Sequence, residues 1–140
     1  MKFIANGFTT DLPDDWQDRS MITLVGPPRD GFAPNAVIMR EPVGPRVSIE
    51  DYAREQREAA LAEIPGLEII DERPTRVNGC AAFQRLQRFS AQGRMLQQTQ
   101  TFVLAKGLVF VITCTAALEH FDASIPAFRR LADAFSVDSA

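Results

Sequence analysis

Apolar and polar residues alternate with a period of two through most of this chain, and in two places the alternation gives way to a helical period. The pattern predicts a leading strand at about Lys2–Asp11, stopped by Leu12-Pro13, and a second strand at about Ser20–Val25. Gly26-Pro27-Pro28-Arg29-Asp30-Gly31 reads as a loop from its Pro and Gly content, and a third strand follows from about Asn35 to Arg40. Beyond the loop Pro42-Val43-Gly44-Pro45 the period changes. Ser48 can cap a helix, Asp51 stands three residues on as in a capping box, and Glu50 and Asp51 suit the positive end of the dipole. Ile49, Tyr52, Ala53, Gln56, Ala60 and Ile64 fall on or near one face of that helix, with Arg54, Glu55, Arg57 and Glu58 largely opposite. Pro65-Gly66 ends it near Ile64.

The period of two then returns for four strands, Leu67–Arg76, Cys80–Ser90, Arg94–Ala105 and Leu108–Ala116. Asn78-Gly79, Gln92-Gly93 and Lys106-Gly107 supply tight turns, so the run reads as an antiparallel meander. A last helix spans about Asp122 to Phe135, with Ile125, Phe128, Leu131 and Phe135 at helical spacing and Pro126 in its first turn. The expected class is α+β: one antiparallel sheet and two helices that each bury an apolar stripe against it, as a single domain over residues 1–140.

Composition narrows the function classes. A chain of 140 residues with 46% hydrophobic and 24% charged residues can bury a real core. The net charge of −3 argues against a nucleic-acid binder, because phosphate binding calls for a basic surface. The run Leu108–Ile112 has the length of a strand, not of a membrane span. Lys2 is followed by Asn6, Thr9, Thr10 and Asp11, which interrupt any signal-like apolar region, so a cytoplasmic location without membrane insertion is expected. Cys80 and Cys114 lie in strand-like runs and read as buried free thiols.

Candidate chemistry is sparse. His120 is the single histidine, so any Cys–His mechanism depends on it, and Cys114 lies in an apolar strand that disfavours a thiolate. Glu119, His120 and Asp122 are near neighbours along one loop and do not converge on one ion; they read as a polar helix entry with Asp122 as a cap. Neighbouring carboxylates such as Asp71-Glu72 point to opposite faces of a strand. No phosphate-binding glycine pattern occurs, and the expectation is a protein with no cofactor, no metal and no catalysis. The phenylalanines from Phe83 to Phe135 read as core, and Trp16 as an anchor of the first loop against the sheet.

Three features do not fit a plain core. Gln56 sits on the apolar stripe of the first helix, beside the shallow surface of Ala53, Ala59 and Ala60. In the strand Arg94–Ala105 alternation puts Leu96, Gln98 and Gln100 on one face and Gln97, Thr99 and Thr101 on the other. The strands Met21–Val25 and Val37–Met39 are apolar on both faces. Either the two helices cover both faces and the glutamines stand at an edge in water, or an apolar groove carries a band of neutral amides. Such a groove suits a hydrophobic helix, whose buried amide partners must be uncharged to avoid a large desolvation cost.

The order of Leu12-Pro13 and Trp16, Val37-Ile38-Met39-Arg40, Asp51-Tyr52-Ala53-Arg54-Glu55-Gln56, Ile64-Pro65-Gly66, Asn78-Gly79, Gln100-Thr101-Phe102 and Ile112-Thr113 resembles the DcrB-like family, whose fold relates to PsbP and Mog1. Within it the chain most resembles the Eag chaperones of type VI secretion effectors. The resemblance implies a Mog1/PsbP-like sandwich and a homodimer. It also implies a cytoplasmic partner: the hydrophobic N-terminal transmembrane helices of an effector, gripped by the concave sheet face before loading. By position Ile22, Leu24, Val37, Met39, Gln56, Ala60, Ile64, Leu96 and Gln100 match that groove, and strand alternation adds Gln98. The family also contains DcrB-like interaction modules without transmembrane clients, which is the alternative reading.

Overall fold

The computed structural model describes residues 1–138; the last two residues of the expected 1–140 domain lie outside the described residues. Eight strands and two helices follow in the order β1 (Lys2–Ala5), β2 (Phe8–Asp11), β3 (Met21–Val25), β4 (Asn35–Pro42), α1 (Ile49–Glu63), β5 (Glu68–Val77), β6 (Cys80–Ala91), β7 (Arg94–Ala105), β8 (Leu108–Ala117) and α2 (Phe121–Asp133). The expected α+β class with one main antiparallel sheet and two helices is what forms. Six strands make that sheet in the spatial order β3-β4-β8-β7-β6-β5, all antiparallel.

The expected single strand over Lys2–Asp11 is instead a separate hairpin, with Lys2 opposite Asp11 and Ala5 opposite Phe8. Asn6-Gly7 makes the turn, and Gly7 holds a positive φ of 79°. Trp16 is 66% exposed and does not anchor the loop after the hairpin. The other tight turns form where the sequence puts them. At Asn78-Gly79, Gln92-Gly93 and Lys106-Gly107 both central residues have positive φ, the geometry that matches the twist of the flanking strands.

The two helices pack on opposite faces of the sheet, and β8 reports which face belongs to which. Val109 and Val111 join Ile49, Tyr52, Ala53 and Phe102 beneath α1. Their alternate neighbours Ile112, Cys114 and Ala116 join Ala36, Phe121 and Phe128 beneath α2. Each side is a packed core, and Tyr52 meets Phe102 edge-to-face at 5.6 Å, a pairing that contributes about 0.5–1.5 kcal/mol beyond burial. Helix α1 starts as predicted: Ser48 Oγ accepts from the Asp51 amide at 3.1 Å. Asp51 does not complete the box; its carboxylate pairs with Arg54 at 2.7 Å. The helix closes at Ile64, whose amide donates to Ala60, and Gly66 turns the chain with φ of 72°. Helix α2 begins at Phe121 after a 3-10 turn, Leu118–His120, and its N-cap is His120 without a side-chain bond, so Asp122 is a first-turn residue and not the cap.

Candidate functional site

Register assigns every candidate residue to a face. Gln98 stands opposite Thr115, Gln100 opposite Thr113, and Val37 opposite Thr113 from the other side. Met39 pairs with Val111, which belongs to the core beneath α1. Val37, Met39, Leu96, Gln98 and Gln100 therefore share the α1 side of the sheet. Helix α1 closes one end of that side over Phe102 and Val109, while Val37, Met39, Gln98, Gln100 and Thr113 further along stay half-buried. Leu96 is on the same side but is only 8% exposed, so it supports the floor more than it lines it. Gln56, Ala60 and Ile64, all half-buried, continue the helix stripe begun by Ile49, Tyr52 and Ala53.

Ile22 and Leu24 are not part of this assembly. Ile22 pairs with Ile38 and Leu24 with Ala36, and both of those partners pack in the core beneath α2. The sequence-expected groove is thus divided: eight of its residues, counting Gln56, Ala60 and Ile64, lie on the α1 side and these two on the other. The reason is the period of two. Residues of one parity in β3 pair with residues of one parity in β4, and Ile22 and Leu24 have the parity of Ile38 and Ala36.

The floor is a hydrogen-bonded ladder of neutral groups. Gln87 Nε2 donates to Gln98 Oε1 at 2.7 Å, and Gln98 Nε2 donates to Thr115 Oγ1 at 3.0 Å. One step along, Gln100 Nε2 donates to Thr113 Oγ1 at 3.4 Å. Each carboxamide has two donor hydrogens and an oxygen with two lone pairs, so the ladder leaves capacity for a further partner. Beside it lies a charged group that sequence reasoning missed. Arg85 pairs with Gln100 across β6–β7 and is fully buried beneath α1. Its Nη2 donates to the Ala53 carbonyl of α1 and lies 3.6 Å from Glu72, and its guanidinium stacks 5.3 Å from the Phe102 ring centre. Burial pushes its basicity down, offset by the nearby Glu72 charge. Alternation could have placed Arg85 on this face, since it shares the parity of Phe83 and Gln87.

A concavity lies on the α2 side. It encloses about 810 Å³ between α2, the ends of β3 and β4 and the loop between them, with Leu24, Pro27, Ala36, Ala127, Phe128 and Leu131 among its walls. That loop is tied down at Asp30, whose carboxylate meets His120 Nε2 at 2.7 Å and whose carbonyl accepts from Arg94 at 2.6 Å. The single histidine thus serves in a surface hydrogen bond that holds this loop. Cys114 is buried in the α2 core, where burial pushes its thiol up to about 11 despite a bond to Thr99. Among the described residues no group of three His, Cys, Asp or Glu side chains is placed to hold a metal ion, and no helix is long and apolar enough to cross a membrane.

Solved structures share this architecture. A Pseudomonas aeruginosa protein of unknown function, described as a candidate regulator, superposes with a TM-score of 0.85 at 21% identity, over 100% of this chain and 98% of that one. The cyanobacterial PsbP of Synechocystis sp. PCC 6803 matches with a TM-score of 0.61 at 14% identity, over 75% of this chain and 68% of its own. The Ran-binding protein Mog1p of Saccharomyces cerevisiae matches with a TM-score of 0.52 at 11% identity, over 84% and 69%. These likenesses establish a Mog1/PsbP-like fold. No curated protein sequence matches the chain. The DcrB family model matches residues 9–133, which contain all six strands of the main sheet and both helices, and the chain belongs to the DcrB family.

Proposed function

We propose that this protein is a cytoplasmic chaperone, of the Eag type, that shields hydrophobic N-terminal transmembrane helices of a type VI secretion effector until loading. The observation that carries this reading is the ladder Gln87–Gln98–Thr115 and Gln100–Thr113, whose Gln98, Gln100 and Thr113 are half-buried and share a face with apolar Val37 and Met39 and the stripe Gln56–Ala60–Ile64 of α1. Apolar walls remove the client from water, and neutral amides satisfy its polar points without the desolvation cost of a charge. No cofactor, metal or catalytic step enters this function.

The partner set includes a second copy of the chain, and the two sheet edges supply the support. The outer edge β5 carries Glu68, Asp71, Glu72, Arg73 and Arg76, has Pro74 in it, and bulges between Ile69 and Asp71. Those are devices that prevent edge-to-edge pairing. The other edge, β3, is Met21-Ile22-Thr23-Leu24-Val25, exposed along its whole length and without a charge, proline or bulge. Antiparallel self-pairing about Thr23 would set Ile22 against the partner copy's Leu24 and Met21 against its Val25.

The test is co-purification of tagged protein from its native cells with mass spectrometry of bound chains. Enrichment of one large protein with an apolar N-terminal region, lost on Val37→Asp, is the expected result. A preparation free of such a partner, from cells expressing the secretion system, would overturn the chaperone reading. It would favour a DcrB-like interaction module without transmembrane clients, for which the cleft beneath α2 offers a separate docking place.

A further inference from the structure

Among the described residues Arg85 is the one buried cation on the client-side face, and its bonding is incomplete. It is 0% exposed, yet its Nε and Nη1 have no acceptor among the described residues. Beside it Gln87, 2% exposed, has an Oε1 without a donor. Buried guanidinium donors left unpaired are costly, and a fold retains them where another group completes them. Charge is unbalanced as well. Among the described residues Glu72 is the only carboxylate in contact with Arg85, and its other oxygen is held by Arg57 at 3.1 Å. Two guanidiniums share one carboxylate, and the surplus is positive.

The position of Arg85 ties this surplus to the floor. It lies directly across the β6–β7 ladder from Gln100, and the next pair on the same face is Gln87 with Gln98. Its bond to α1 is one it can exchange. The Ala53 carbonyl is inside a continuous helix, where the backbone ladder already supplies a donor, so releasing Arg85 does not strand that oxygen.

We infer that Arg85, flanked by Gln87, Gln98 and Gln100, is a specificity-determining subsite that takes an acidic side chain carried on the client's apolar helix. This rests on the chaperone reading and names what that face selects. A carboxylate in an otherwise apolar helix is the group least able to remain unpaired away from water, and a guanidinium fork is the donor set that matches it with two parallel bonds. Neutral amides alone would accept any polar residue; Arg85 makes the face discriminate by charge.

The experiment uses the full chain and three synthetic 22-residue helical peptides of Leu, Ala and Gly. They are identical except for Leu, Asn or Asp at the centre, and each is delivered from a non-ionic detergent. Affinities are read by fluorescence anisotropy. The expected result is binding of all three, with the Asp peptide at least about tenfold tighter than the Leu peptide, a difference of about 1.4 kcal/mol. Arg85→Met should erase that preference, read as the ratio of the Asp to the Leu peptide, and Arg85→Lys should keep part of it. Equal binding of the three peptides by the parent protein, or weaker binding of the Asp peptide, would overturn the subsite and leave the chaperone reading standing. Binding of none of them would overturn both. The parent series decides the matter even if Arg85→Met does not fold.

Discussion

Leu24 and Val37 belong to neighbouring strands of the sheet and point to opposite sides of it. Leu24 stands opposite Ala36 in the core beneath α2, and Val37 stands opposite Thr23 on the side of α1. This separates two apolar surfaces that a sequence match treats as one. Val37→Asp should weaken binding of an apolar helical peptide by about tenfold or more, because it places a charge in the floor of the groove. Leu24→Asp, on the other side, should leave that binding within about twofold, the change expected of a residue without contact. Anisotropy titrations of both variants check this, and equal losses would place the client over both faces or along the β3 edge.

Gln100→Glu is expected to fold and to lose clients. A carboxylate at position 100 stands across the ladder from Arg85 and supplies its missing acceptor from within the chain. The midpoint of thermal unfolding should therefore hold or rise, while affinity for an apolar peptide falls by about tenfold as the floor gains a charge. Calorimetry with a parallel titration separates the two effects; a variant that both unfolds early and binds normally would contradict the geometry.

The edge strand β3 makes oligomeric state testable by one substitution. Thr23→Lys puts a charge at the centre of the exposed edge, the commonest natural block to strand pairing. Light scattering should show a dimer for the parent and a monomer for the variant. The same substitution at an outward position of β5 should change nothing.

Cys114 and Cys80 should differ in reactivity, and Cys114 should weaken the fold at alkaline pH. Cys114 is buried and its thiol is raised from 9.0 to about 11, whereas Cys80 is half-exposed. At pH 8 an alkylating reagent should modify Cys80 and spare Cys114 in the folded protein, as mass spectrometry after quenching would reveal. Because the folded-state value is raised, Cys114 contributes its stability in full below pH 9 and loses it as pH rises through about 11. Cys114→Ala should flatten the fall in stability across that window relative to the parent.

The N-cap of α1 is a stability handle remote from the groove floor. Ser48→Ala removes the 3.1 Å bond to the Asp51 amide and should cost about 1 kcal/mol. For a chain of this size that lowers the unfolding midpoint by roughly 2–6 °C. Ser48→Asp, which can accept the same bond, should recover most of the loss.

Much of the fold was legible because its signals are local. The three Gly-containing turns of the meander, the Ser48 cap and the Pro65-Gly66 stop each depend on a few adjacent residues whose backbone preferences are strong. The β1–β2 hairpin is local too, since Asn6-Gly7 carries the same turn signal as Asn78-Gly79 within the run Lys2–Asp11. Trp16 and Asp122 failed differently. An aromatic or a carboxylate near an element's start suggests an anchor or a cap, but whether anything lies within reach depends on the path of the chain beyond it.

The sequence by itself determined which residues share a face within each element. Leu96, Gln98 and Gln100 are together because side chains alternate along a strand, and Gln56, Ala60 and Ile64 because a helix repeats every 3.6 residues. Only the tertiary structure decided which face of one strand joins which face of the next, and what covers it. Parity across β3 and β4 is set by their pairing register, which moved Ile22 and Leu24 to the side of α2. The burial of Arg85 depends on where α1 crosses the sheet, a long-range choice that no neighbouring residue encodes. Periodicity is a property of one segment, whereas register and coverage are properties of how segments meet, and the candidate site is made where they meet.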